Sequence, residues 1–150
     1  MRGMKRSAVL MAVVGSAVLA SLAYASGPPA EEKAKGEAAA ELSSRSMDVP
    51  YLAVPVVRNE MLVNYLFVSV RVEIAQGVDL WRTREQAHFL RDALVRASHA
   101  TDLSDPDDTN LLNESRAIEA YRAAAIQALG ERAIGGVTIV ASYSSQGSGI

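Results

Sequence analysis

The stretch "LVNYLFVSVRVEIA", residues 62–75, decides the fold. In its second half Val68, Val70, Val72 and Ile74 occupy every other position, and Ser69, Arg71 and Glu73 fill the positions between. A period of two belongs to extended chain, whose side chains leave from alternate faces. The stretch therefore predicts a half-buried strand with a hydrophobic face and a wet one.

Upstream, "PYLAVPVV" (50–57) is short, β-branched and aromatic. Proline has no N–H for a sheet ladder, so Pro50 and Pro55 restrict this segment to an edge strand or a strand start. Arg58-Asn59-Glu60 breaks the chain between the two strands. Downstream, Gly77 ends the long strand and Asp79 is placed to cap a helix over "LWRTREQAHFLRDALVRASHA", residues 80–100. Leu80, Thr83, Ala87, Leu90, Leu94 and Ala97 recur at helical intervals, Phe89, Ala93 and Val95 widen the stripe, and the arginines fall on the wet side. Trp81, the only tryptophan, lies in the first turn. It reads either as a core-edge residue or as an exposed contact with a partner or lipid headgroups.

The polar run "TDLSDPDDTN" (101–110) then reads as a solvated turn. Its four aspartates lack the central glycine and terminal glutamate that a twelve-residue calcium loop needs. A second helix is predicted from Leu111 or Asn113 to Leu129, with Ile118, Tyr121, Ala125 and Leu129 on one face, joined by Ala124 and Ile126. Gly130, Gly135 and Gly136 favour termination and a turn. "VTIVASYS" (137–144) has strand composition, with Val137, Ile139 and Ala141 toward one side and Val140 toward the other. The order β-β-α-α-β predicts an α+β fold: a two-layer sandwich of two helices on a small mixed or antiparallel sheet, the last strand beside the long one. This domain is expected over residues 50–146, with a loose tail at 147–150.

The amino terminus has a different character. "MRGMKR" carries three positive charges and is followed by "SAVLMAVVGSAVLASLAYA" (7–25), which has none. A positive flank, an apolar run and small residues at Ala23 and Ala25 match a secretory signal cleaved after Ala25. Nineteen residues at ~1.5 Å each also come close to the ~30 Å hydrocarbon core of a bilayer, so the same run fits a retained single-pass anchor. Both readings place the rest of the chain across the cytoplasmic membrane, in the periplasm of a bacterial cell. Residues 26–49 are dominated by small and charged residues, have little to bury, and read as a polar tether.

Composition narrows the chemistry. The formal charge is -2, and losing Arg2, Lys5 and Arg6 with the leader leaves -5. No lysine follows Lys35, so nothing builds the basic field that a nucleic-acid partner requires. The absence of cysteine removes disulfides, thiolate nucleophiles and cysteine-based metal sites. His88 and His99 share a helix face but stand about 16 Å apart along the axis, too far for one metal. No serine sits in a nucleophile-elbow pattern. The sequence thus points to a protein without an enzymatic role, cofactor or metal.

Three segments resemble the flagellar basal-body-associated FliL family. "MLVNYLFVSVRVEIA" (61–75) is similar to its valine-asparagine segment and long strand, "FLRDALVRASHATDLS" (89–104) to its helix and following turn, and "VTIVASYSSQ" (137–146) to its closing strand. The resemblance covers about residues 51–146. The family's glycine-lysine at the start of the second helix is replaced here by Asn113-Glu114-Ser115-Arg116, and its bulky closing strand by Ala141-Ser142-Tyr143. What the resemblance implies is a non-enzymatic structural protein around the flagellar stator and motor that supports motility, with a fold similar to ring-forming stomatin-type domains. It carries over Arg91 and Asp92 of the first helix, and Tyr143 and Gln146 of the last strand, as partner contacts. Trp81 joins them as a contact candidate on its own account. A soluble periplasmic binding or accessory module of the same fold, with no flagellar role, is the alternative.

Overall fold

A computed structural model describes residues 45–147. The leader, all but the last residues of the tether, and positions 148–150 of the tail lie outside the described residues. Strands β1 (Ser46–Arg58) and β2 (Met61–Ile74) are followed by helices α1 (Leu80–Glu85), α2 (Ala87–Ala100) and α3 (Glu114–Leu129), a short 3-10 turn (Glu131–Ala133) and strand β3 (Ile134–Ser144). The sheet is antiparallel throughout, in the order β1-β2-β3. The fold is the predicted α+β sandwich, with the long strand central and the last strand beside it.

Alternation along β2 builds the core. Leu66, Val68, Val70, Val72 and Ile74 are buried, and so are Val49, Leu52, Val54 and Val56 of β1, whose pairing puts them on the same face. Leu90 and Leu94 of α2 and Ala117, Tyr121 and Ala125 of α3 close over them. Each fully buried valine or leucine contributes about 1.5–3 kcal/mol of transfer free energy. β1 begins at Ser46, four residues before the expected Pro50, because Met47 and Val49 continue the buried alternation. It is an edge strand, as its prolines require. Pro50 and Tyr51 form a bulge there, with Tyr51 at φ 55°.

The β1–β2 connection is a two-residue hairpin, Arg58 pairing with Met61. Asn59 (φ 51°) and Glu60 (φ 65°) are both left-handed, as a type I′ turn demands. Asparagine adopts this conformation readily, whereas glutamate does so at a cost of about 1–2 kcal/mol.

The expected single helix over 80–100 is two helices. Asp79 caps α1 by accepting from the Trp81 and Arg82 amides at 3.0 and 3.2 Å. The chain then breaks at Gln86 (φ -91°, ψ 9°). Between the buried Thr83 and Leu90 the apolar stripe offers only Ala87, which is exposed, so no burial holds that turn in register. Asn113 caps α3, accepting from the Arg116 amide at 3.1 Å, and Gly130 (φ 90°) ends it.

β3 departs from the expected alternation. Its register shifts between the partners of Ser69 and Val70, which leaves Val140 as an extra, half-exposed residue. Beyond a bulge the two faces exchange. Val137 and Ile139 therefore share the core face, while Ala141 pairs with the outward Ser69 and joins Tyr143 on the opposite side. Among the described residues no helix is long and apolar enough to cross a membrane.

Candidate functional site

Among the described residues all the helices sit on one side of the sheet, and no described element covers the other. Across its middle, Ala53 of β1 pairs with Phe67 of β2, which pairs with Tyr143 of β3. Pro55 pairs with Tyr65 in the next outward row and Val57 with Leu62 beyond it, while Ser69 and Ala141 lie on the other flank. Directly opposed side chains stand about 5 Å apart, so these rows form one continuous patch. Phe67 is 37% exposed, Tyr65 38%, Tyr143 47% and Leu62 52%, high values for large apolar side chains arranged side by side. A wet sheet face ordinarily alternates to polar residues, and contiguous apolar area of this kind marks an interaction surface. Toward the Ser46 end the patch gives way to Asp48 and Arg71, whose carboxylate and guanidinium make two hydrogen bonds of 2.7 and 2.9 Å. The Arg71 bonds hold the Asp48 carboxyl below the usual carboxylate range.

A polar node fixes the far end of the face. Asn64 is buried at the inward position one residue before Tyr65. Its amide donates to the Thr109 carbonyl (2.9 Å), Asn110 Oδ1 (3.2 Å) and Ser144 Oγ (2.9 Å), and its carbonyl accepts from the Tyr65 amide (2.8 Å) and Ser145 Oγ (2.7 Å). One side chain thus joins β2, the 101–113 loop and the end of β3. Arg58 secures the same loop, donating to Asp102 Oδ2 at 2.7 Å, Ser104 Oγ at 2.8 Å and the Asp105 carbonyl at 2.9 Å. Partial burial pushes the Asp102 carboxyl up, but hydrogen bonds from Ser104 and the Arg58 charge outweigh it and leave the group lowered.

Two of the loop's other aspartates, Asp105 and Asp108, turn back on the backbone. Asp105 Oδ1 accepts from the Asp107 and Asp108 amides, and Asp108 Oδ1 from the Asn110 amide. Among the described residues no group of three or more metal-ligating side chains is placed to hold a metal.

The five contact candidates do not converge. Tyr143 lies in the uncovered face. Gln146, just past β3, donates through Nε2 to the Val63 carbonyl at 2.9 Å and so braces the strand end. Arg91 reaches across to the Pro50 carbonyl at 3.2 Å, at the bulge in β1. Asp92 pairs with Arg96 one helical turn on. Trp81 is 76% exposed on α1, outside the sheet that carries Tyr143. Tyr65 and Phe67 are the residues that sequence reasoning missed. Their signal was their parity in β2: two aromatics at i and i+2, on positions continuing the Ser69, Arg71 and Glu73 face.

Elsewhere, a groove of about 780 Å³ runs between α2 and α3, lined mainly by Phe89, Ala93, Ala97, Ala120, Ala124 and Ile126. Its alanines offer shape but no acid, base or nucleophile. Beneath it, the Tyr121 hydroxyl is buried against Ser98 Oγ at 2.9 Å. Burial pushes the Tyr121 phenol up, partly offset by the Ser98 bond. Comparison with protein-family models, curated proteins and solved structures finds no match.

Proposed function

We propose that this chain is an exported, non-enzymatic structural and interaction protein whose domain works by contact in the periplasm. The observation that carries the reading is the row Ala53, Phe67 and Tyr143, with Tyr65 beside it, an aromatic face left open to solvent. Keeping such a face exposed costs solubility, and a partner that covers it recovers the hydrophobic free energy. The family resemblance over residues 51–146 supports the flagellar basal body and stator as the partner, with the leader retained as an anchor. The same face is available to a second copy in a homo-oligomer or ring, which would need closing contacts.

Ala23-Tyr24-Ala25 favours a second reading, in which the leader is removed and the domain is a soluble periplasmic accessory module. Fractionation with intact-mass measurement separates the two. A full-length mass in the membrane fraction, with impaired swimming on deletion, supports the flagellar reading. A chain beginning at Ser26, released by osmotic shock from cells that swim normally, supports the accessory module. A Phe67→Ser/Tyr143→Ser variant that folds but rescues nothing ties either role to the open face; full rescue removes the face from the account.

A further inference from the structure

The Ser46 end of the domain carries a second exposed aromatic that the open face does not include. Trp81 protrudes from α1 with Arg84 above its ring, the guanidinium carbon 5.8 Å from the centroid, and Arg82 beside it. Indole flanked by arginine suits the boundary between headgroups and acyl chains, where the ring is half-buried and a neighbouring cation, here Arg82, meets lipid phosphates.

That end is also the one nearest the leader along the chain. Arg45, the first described residue, donates through Nη2 to the carbonyls of Ala75 (2.7 Å) and Val78 (2.9 Å), in the loop that leads into Asp79 and α1. The point where the polypeptide enters the fold is therefore stapled beside Trp81. Only nineteen residues separate Arg45 from Ala25, the end of the apolar leader, a reach of at most about 65 Å in any conformation.

Charge gives the same orientation. β1 runs thirteen residues, roughly 40 Å, to the Arg58 end. There, among the described residues, Glu60, Asp102, Asp105, Asp107, Asp108 and Glu114 oppose Arg58 and Arg116. At the Ser46 end Arg45, Arg71, Arg82, Arg84 and Arg132 balance Asp48, Glu73, Asp79, Glu85 and Glu131. An anionic lipid surface repels the first end and accepts the second.

We infer that Trp81, with Arg82, docks the domain on the anionic lipid surface of the membrane that holds its leader, so that the acidic end points away. The inference rests on the proposed placement at the membrane, with the leader retained.

Trp81 is the chain's only tryptophan, so its fluorescence reports this site alone. The full chain is reconstituted in vesicles of phosphatidylcholine, with or without one-third phosphatidylglycerol, and flotation is measured beside emission. Docking predicts a blue-shifted Trp81, at least about twofold less quenched by iodide in anionic than in neutral vesicles and quenched by headgroup-nitroxide lipid. Arg82→Gln restores the neutral-vesicle behaviour, and Asp107→Asn/Asp108→Asn does not. A chain that floats while Trp81 stays equally open to iodide in both vesicles overturns the docking, spares the anchor, and leaves the indole to a protein partner. A chain that fails to float overturns the anchored placement and the docking together.

Discussion

Asn64→Ala removes the node that ties three segments together, and its cost can be worked from the contacts. The side chain is 4% exposed and makes five hydrogen bonds. Ser144 Oγ keeps two other partners, Asn110 Oδ1 and the Gln146 amide, and exposed Ser145 can turn to water. The Thr109 carbonyl and the Tyr65 amide lose their strongest partner outright, and Asn110 loses its link to β2. Two to three uncompensated bonds at about 1 kcal/mol each give a loss of about 2–3 kcal/mol. For a domain of this size that is a fall in Tm of about 10–20 °C, read by calorimetry or urea titration. Hydrogen exchange should rise first in residues 104–112 and at the end of β3, before the centre of β2. Asn64→Asp keeps the acceptor but loses both amide donors, and should cost at least as much at neutral pH. A loss below about 1 kcal/mol, or unchanged exchange in the loop, would refute the reasoning.

Glu60→Gly should stabilise the domain by about 0.5–1 kcal/mol in urea titration, since relief of the left-handed strain at φ 65° exceeds glycine's added unfolded-state entropy. Tyr121→Phe should cost about 1 kcal/mol, the Ser98 hydroxyl retaining its bond to the Leu94 carbonyl at 2.9 Å. Asp48 and Asp102 are both lowered by their arginine and hydroxyl partners, so their contribution is present above the unfolded carboxylate value of 3.8 and is lost as pH falls through the folded values. Both side chains are about half exposed and screened, so the acid limb should be shallow, and shallower still in Asp102→Asn when followed by thermal melts across pH 2–6, roughly the carboxylate range. Phe67→Ser should leave the core intact, changing stability by less than about 1 kcal/mol, while raising the concentration at which the protein stays soluble.

The architecture was readable because β2 alternates so cleanly: once Val68, Val70, Val72 and Ile74 define a face, the flanking helices have only one surface to cover. The Asp79 cap was legible for the same local reason, since it acts within three residues of itself, whereas Asn113 was read as a possible start of the helix and not as its cap. What escaped was long-range. The bulge at Val140 that moves Ala141 to the other face is set by pairing with β2, which local composition does not encode. The break at Gln86 depends on which turns of a stripe find something to bury against. The uncovered face was hidden differently: Tyr65 and Phe67 are good strand residues, and only the side on which the helices pack turns them from packing residues into an exposed surface. Asn64 read as part of a motif, while its role as a buried node needed Thr109, Asn110 and Ser144 brought to it from 45 to 80 positions away.

The central claim is that the helix-free face of the sheet is covered in the cell, and the lack of native cysteine allows a direct test. Ser69→Cys and Ala141→Cys place single thiols on that face, and Arg122→Cys places one on the exposed side of α3. Maleimide labelling is compared between living cells and the purified protein. The account predicts that the thiols at 69 and 141 are slowed in cells relative to the one at 122, and that all three react freely once the protein is purified as a monomer. Equal labelling at all three positions in cells would contradict it.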